Sequence, residues 1–267
     1  MIALVDGLRV GYDDVGDGMP VVFLHGFPHD RTLWAAQLGS LAVPVRTLAC
    51  DLRGFGESDM EGDASAMTID DYARDVAAWL RGLSIDRAVI AGVSMGGYIA
   101  FALWRRDPSL VRALVLADTR AGNDDETGRA RRTAHIEFVR QRGSAEFAEE
   151  LLPSMLGKTT RAANPELMDG VRTMLARAPV NAVIGALTAM RDRPDSTPAL
   201  ATIGVPTLIV VGAEDAITPV KESRAMHGAI AGSRLEIVPG AGHLASAERP
   251  AAFNHVLSEF LAALAYT

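Results

Sequence analysis

The chain has one cysteine, Cys50, so no intrachain disulfide can form and a cysteine-based zinc site is excluded. No run of lysines or arginines stands out, and the formal net charge is −7 with a pI near 5.4. A nucleic-acid partner needs a basic stripe and is set aside. No stretch approaches roughly 18 uninterrupted apolar residues, so no membrane span is expected. The opening MIALVDGLRVGYDDVG lacks a basic segment followed by an apolar one, so it does not read as a secretory leader. These absences lead to the expectation of a cytoplasmic, enzyme-sized domain. Hydrophobic residues make up 49% of 267, enough for one large α/β domain with its own core and barely enough for two.

Five runs are apolar without alternation: VVFL (21–24), VRTLAC (45–50), AVIAG (88–92), VRALVLA (111–117) and TLIVVG (207–212). Runs of this length bounded by turn residues suit strands buried on both faces, as in a parallel sheet covered by helices. Helical patterns separate them: TIDDYARDVAAWLRGL (68–83), with Thr68 and Asp71 spaced like a capping box, MGGYIAFALWRRD (95–107) and PAAFNHVLSEFLAAL (250–264). The alternation predicts a mostly parallel, doubly wound α/β sheet. Asp6-Gly7 between two β-like pieces predicts that the sheet starts with an antiparallel hairpin.

Residues 121–195 differ. They hold no buried-strand run, and their helical pieces are punctuated by Gly, Pro and Asn. Their charges balance, with 11 acidic and 11 basic residues, so the excess acid lies in the remainder. The expected organisation is a core of 1–120 and 196–267, with 121–195 inserted as a helical cap after the sixth strand.

Chemistry concentrates at Gly92-Val93-Ser94-Met95-Gly96. The G-x-S-x-G spacing is weak alone, but here it follows a buried strand and opens a helix, the setting of a nucleophile elbow. Glycines at 92 and 96 keep Cβ atoms out of a very tight turn, and Gly97 lets the helix pack closely. The turn lifts the Ser94 hydroxyl above the sheet edge and leaves the Met95 amide free at a helix N-terminus.

A serine nucleophile needs a base, and the base an orienting acid, in the chain order serine, acid, histidine. Of the six histidines, 227, 243 and 255 follow a late acid. His227 and His255 lie within helical patterns. His243 sits in a glycine-rich loop after a short strand, where this architecture puts chemistry, and is the expected general base. TLIVVGAEDAITP supplies Asp215 as the preferred acid, with Asp118, at the end of LVLAD, its rival and Glu214 third.

The oxyanion of a tetrahedral intermediate needs two donors. Met95 offers one amide; the loop VVFLHGFPHD (21–30) offers the other at Phe27, with Gly26 permitting close approach. His25 and His29 have the spacing of a helical metal pair, but Gly26 and Pro28 disfavour a helix there and no acidic partner is close by. His25 is expected to orient the loop by hydrogen bonding. No metal or cofactor is called for.

With these residues assembled, the sequence resembles the α/β-hydrolase superfamily over nearly its whole length. The motifs are HGFP (25–28), DLRGFGES (51–58), GVSMGG (92–97), GAEDAITP (212–219) and GAGHLASAERP (240–250). Within the superfamily it is similar to small carboxylesterases related to 3-oxoadipate enol-lactonases, whose LADTRA-like segment (here 116–121) also leads into a helical cap. The resemblance implies a Ser94–Asp215–His243 triad and an oxyanion hole from the Phe27 and Met95 amides. It also implies that Asp51, Arg53 and Ser58 are mainly structural. Haloalkane dehalogenases and epoxide hydrolases would carry Asp in place of Ser94.

The implied function is a carboxylesterase cleaving esters of small to medium acyl chains through an acyl-enzyme. One alternative is an enol-lactonase-type lactone hydrolase, for which Arg120, Arg129, Arg131 or Arg132 would supply a cationic clamp. From another class comes a non-catalytic small-molecule-binding protein on the same scaffold. The same triad also supports C–C bond hydrolases, hydroxynitrile lyases and perhydrolases. A mostly apolar pocket under the cap is expected.

Overall fold

The structure is a computed structural model in which residues 1–264 are described. β1 (Ile2–Val5) and β2 (Leu8–Val15) form the expected antiparallel hairpin, with Val5 opposite Leu8. Asp6 and Gly7 have φ of 49° and 87°, the left-handed pair that a two-residue hairpin turn requires. Next come β3 (Met19–Leu24), β4 (Val45–Cys50), β5 (Ala88–Val93), β6 (Val111–Ala117), β7 (Thr207–Gly212) and β8 (Arg234–Val238). The sheet order is β1-β2-β4-β3-β5-β6-β7-β8; β2 joins β4 antiparallel, and every pairing from β4 onward is parallel.

Each central strand is buried on both faces, which explains why the sequence shows continuous apolar runs. Val22 and Leu24 point into one core with Leu48, Ile90 and Leu114, while Val21 and Phe23 point into the other with Ala49, Val89 and Val115. The first face is covered by α1 (Ile69–Gly82) and α2 (Met95–Arg106). α1 begins with a full capping box: Thr68 Oγ1 accepts the Asp71 amide at 3.1 Å, and Asp71 Oδ2 accepts the Thr68 amide at 2.9 Å.

Between β6 and β7 lie four α-helices: α3 (Glu126–Met155), α4 (Lys158–Ala163), α5 (Pro165–Ala176) and α6 (Val180–Arg191). α3 is two stretches meeting at Gly143, whose φ of 79° no helix accommodates. Then follow α7 (Val220–Ala229), α8 (Ala245–Glu248) and α9 (Pro250–Leu264). α9 buries Phe253, Leu257, Leu261 and Leu264, one helical stripe, against the second face. We propose a division into a core of 1–120 and 196–267 and a cap of 121–195; residues 265–267 lie outside the described residues. No single helix among the described residues is long and apolar enough to cross a membrane.

Because β3, β5, β7 and β8 run parallel, the loops leaving their C-terminal ends emerge along one edge of the sheet. They carry Phe27, Ser94, Asp215 and His243 respectively.

Candidate active site

Ser94 connects β5 directly to α2 with φ 53° and ψ −112°, a conformation that costs on the order of 1–3 kcal/mol for a residue with a Cβ. Its surroundings enforce it. A Cβ at Gly92 would overlap the backbone of Gly96 and Gly97, one at Gly96 would overlap the Leu24 carbonyl, and one at Gly97 the Thr119 side chain. The Ser94 amide donates to Ala117 O at 3.0 Å, and Thr119 Oγ1 donates to Ser94 O at 2.8 Å. The backbone is thus anchored, while Ser94 lines a cavity and its Oγ has no hydrogen-bond partner among the described residues.

His243 Nδ1 lies 2.9 Å from Asp215 Oδ2. Asp215 is held in turn: Oδ1 accepts the Ile217 and Thr218 amides at 2.8 and 2.9 Å, and Oδ2 accepts Thr218 Oγ1–H at 2.6 Å. Burial alone would raise the Asp215 carboxyl. The adjacent imidazole, the Thr218 hydroxyl and the amides outweigh it and hold the pKa below the usual carboxylate range. Burial likewise pulls the His243 imidazole down, but Asp215, with Asp118 and Glu248 behind it, more than offsets this and holds it above the ordinary 6.5. With Nδ1 directed at Asp215, Nε2 has no hydrogen-bond partner among the described residues, and His243 lines the same cavity as Ser94.

The rival acids go elsewhere. Asp118, fully buried, accepts the Gly212 amide through Oδ1 at 2.8 Å and the Ala245 amide through Oδ2 at 3.0 Å. It therefore fastens the two loops that carry Asp215 and His243. Burial and the neighbouring Asp215 carboxylate push the Asp118 carboxyl up, so of these two adjacent acids the negative charge favours Asp215. Glu214 faces the cap, accepting the Thr159 amide at 2.9 Å. His227 bonds Ser233 Oγ at 2.9 Å, and His255 stands 3.3 Å from Glu259 on the outer surface of α9.

The Phe27 and Met95 amides have no acceptor among the described residues, and Phe27 lines the cavity beside Ser94. His25 braces the Phe27 loop: Nδ1 lies 2.8 Å from Gly26 O, and Nε2 accepts the Leu52 amide at 3.0 Å. His29 is buried with neither ring nitrogen bonded, and burial pushes its pKa down to about 3, so it is neutral. Asp51 accepts the Arg31 and Glu57 amides at 2.8 Å each, Ser58 Oγ donates to Asp51 O at 2.7 Å, and Arg53 pairs with Asp75. None of the three lines the cavity.

The cavity holds about 290 Å³, with Phe27, Ser94, Tyr98, Ala216, Ile217 and His243 from the core. The cap supplies Leu151, Met155 and Met190, but also Arg131, Arg132, His135, Glu150 and Ser154. The wall is therefore more polar than expected. Phe147 instead packs against Phe27, Phe138 and His135 within the cap contact. Arg132 is held by the buried Asp124, whose carboxylate also pairs with Arg120 and Arg193, and Arg193 lies 4.2 Å over the Tyr98 ring. Arg120 and Arg129 do not line the cavity; Arg129 pairs with Asp192 at 3.0 Å. Sequence reasoning missed the His135–Glu150 pair, 3.3 Å apart, because the kink at Gly143 brings its members together from two helical stretches.

A parallel sheet with an antiparallel start, a strained serine at a strand–helix elbow and a helical insertion after the sixth strand define a hydrolase of the α/β fold. The chain belongs to the alpha/beta hydrolase fold family, whose pattern it matches over residues 19–250. Among solved structures it is similar to a thermophilic esterase from Thermogutta terrifontis, at 36% identity and TM-score 0.94, covering 99% of this chain and 98% of that one. It is also similar to the enol-lactonase from Burkholderia xenovorans LB400, at 26% identity and TM-score 0.90, covering 98% and 100%. A curated relative, 3-oxoadipate enol-lactonase 1 of Acinetobacter baylyi, is 27% identical over 241 residues, 90% of this chain and 88% of that one.

Proposed function

We propose that the protein is a carboxylic ester hydrolase working through an acyl-enzyme on Ser94. The observation that carries this reading is His243, with Nδ1 held by Asp215, lining the same cavity as Ser94. The ester carbonyl binds under the cap. Nε2 takes the Ser94 proton as Oγ attacks, Asp215 keeps the imidazole in the required tautomer, and the oxyanion is received by the Phe27 and Met95 amides. Collapse expels the alcohol with the proton from His243. Nε2 then deprotonates water, which attacks the acyl carbon and releases the acid. Ser94→Ala is expected to lower kcat by on the order of 10⁶ toward p-nitrophenyl butyrate. Undiminished turnover in that variant, or failure of a fluorophosphonate probe to label Ser94 in the wild type, overturns the proposal and favours a binding protein.

A second reading, hydrolysis of a lactone or ester that itself bears a carboxylate, is favoured by Arg131 and Arg132 in the cavity wall. Arg131 has no ion-pair partner among the described residues. In a chain of net charge −7 this wall is locally cationic, because Arg131 and Arg132 stand against one lining carboxylate, Glu150, and the single Asp124 behind Arg132 is shared with Arg120 and Arg193. Neutral p-nitrophenyl esters and carboxylate-bearing lactones compared on wild type and Arg131→Gln separate the two. A preference for the anionic substrates that Arg131→Gln removes selects the second reading; equal handling of both series selects the first.

A further inference from the structure

Glu248 closes α8 five residues beyond His243 and is buried. Its two oxygens serve different segments. Oε1 accepts the Gly242 amide at 2.8 Å and the Leu244 amide at 3.2 Å, the residues on either side of His243. Oε2 accepts the Gly157 amide at 2.8 Å, in the cap at the start of α4. The Gly157 and Gly242 backbones touch so closely that a Cβ on either would collide with the other. With Asp118 on the Ala245 amide, three of the four amides from 242 to 245 end on buried carboxylates.

We propose that Glu248 is a positioning residue of the reaction, holding the His243 imidazole in register with Ser94 and tying that register to the seating of the cap. The proposal rests on the reading of Ser94, Asp215 and His243 given above.

Three N–H donors from two segments converge on this side chain, and only a group that accepts through both oxygens satisfies them. Glutamine has one acceptor. It gives up either the pair flanking His243 or Gly157, and it turns its own N–H₂ against a backbone N–H. Aspartate keeps the charge, but one methylene less prevents it from spanning both segments. The charge acts on His243 as well. The charged and titratable groups around that ring are Asp215, Asp118 and Glu248, with His29 from the loop after β3 and, in the wall of the same cavity, Arg131, Arg132, His135 and Glu150 of the cap. Loss of one negative member leaves the imidazolium less stabilised.

The test compares wild type, Glu248→Gln and Glu248→Asp as full-length chains on p-nitrophenyl butyrate. Competent sites are counted by fluorophosphonate titration, and kcat/KM is followed across pH. In Glu248→Gln, kcat per titrated site is expected to fall about 10- to 100-fold, the size of a displacement near 1 Å. The acid limb of kcat/KM should move to lower pH. Glu248→Asp should restore the limb without restoring the full rate. If both variants match wild type per titrated site and in the limb, even with lower yield or melting temperature, Glu248 only supports the fold and the proposal fails. Wild-type protein that does not label, or a Ser94→Ala control that still turns over, defeats the underlying reading instead, whatever Glu248 does.

Discussion

Asp215 and Asp118 are both buried beside the histidine loop, and exchanging each for asparagine distinguishes what they do. Asp215 accepts two backbone amides on Oδ1, and on Oδ2 it meets Thr218 Oγ1 and His243 Nδ1. The Ile217 and Thr218 amides cannot reverse, so the carboxamide oxygen of Asp215→Asn must stay with them. Its N–H₂ then points at His243 Nδ1, which has to accept. The proton moves to Nε2, the atom that should take the Ser94 proton, and the base is lost. A wrong tautomer of this kind costs about 10⁴ in kcat, or about 5.4 kcal/mol of transition-state stabilisation. Stability should change little, because the two amides remain bonded and the Thr218 hydroxyl can turn to donate elsewhere. Asp118→Asn leaves the imidazole's partner intact. It sets an N–H₂ against either the Gly212 or the Ala245 amide, which costs about 1–3 kcal/mol of stability. Through displacement of the loop it should cost no more than about 10² in kcat. The assay is kcat per fluorophosphonate-titrated site on p-nitrophenyl butyrate, with thermal melts alongside. If Asp118→Asn proves the more damaging of the two to kcat, the histidine takes its partner from β6 and the assignment made here is wrong.

The free-enzyme pH profile should follow His243. Its pKa is raised above 6.5, and only the neutral imidazole accepts a proton, so kcat/KM should fall as pH drops through a value above 6.5; a limb below 6 would contradict the local electrostatics. Asp124→Asn removes the one carboxylate that faces Arg120, Arg132 and Arg193. It should destabilise the chain by about 3–5 kcal/mol in denaturant melts, whereas a change within error would mean these arginines find other partners. The Asp124 carboxyl, lowered mainly by Arg132 and Arg193 against its burial, stabilises the fold above the unfolded value of 3.8. That contribution is lost as pH falls through the lowered folded value, so Asp124→Asn should also flatten the acid end of the stability curve.

Local chemistry made much of this legible in the sequence. Strands buried on both faces leave uninterrupted apolar runs, and the five runs are β3 to β7. Asp6-Gly7 and Thr68–Asp71 are turn and cap signals whose geometry is confined to a few residues. Gly92 is legible for the same reason, since it answers the backbone of Gly96 and Gly97 within one turn, whereas Gly96 and Gly97 make room for the Leu24 carbonyl and the Thr119 side chain, which the fold brings from elsewhere. The placement of β4 between β2 and β3 is not legible, because it depends on pairings between distant segments. Nor is the polar cavity wall: charged residues on a helix ordinarily face water, and only the fold of α3 at Gly143 turns His135 and Glu150 toward one another. Glu248 escaped notice because a glutamate in a short polar helix reads as surface. Its burial follows from the meeting of Gly157 with Gly242, 85 residues apart in the chain.

On the reading proposed above, the elbow separates the address of the nucleophile from its identity. The contacts that bend the chain at position 94 are made by backbone atoms, by neighbouring glycines and by the Thr119 side chain, and among the described residues none is made by the serine hydroxyl itself. A thiol installed there would be delivered to the same point of the cavity that His243 also lines. The scaffold is indifferent to which element does the attacking, and the residues around position 94 have far less freedom to change than the one that reacts.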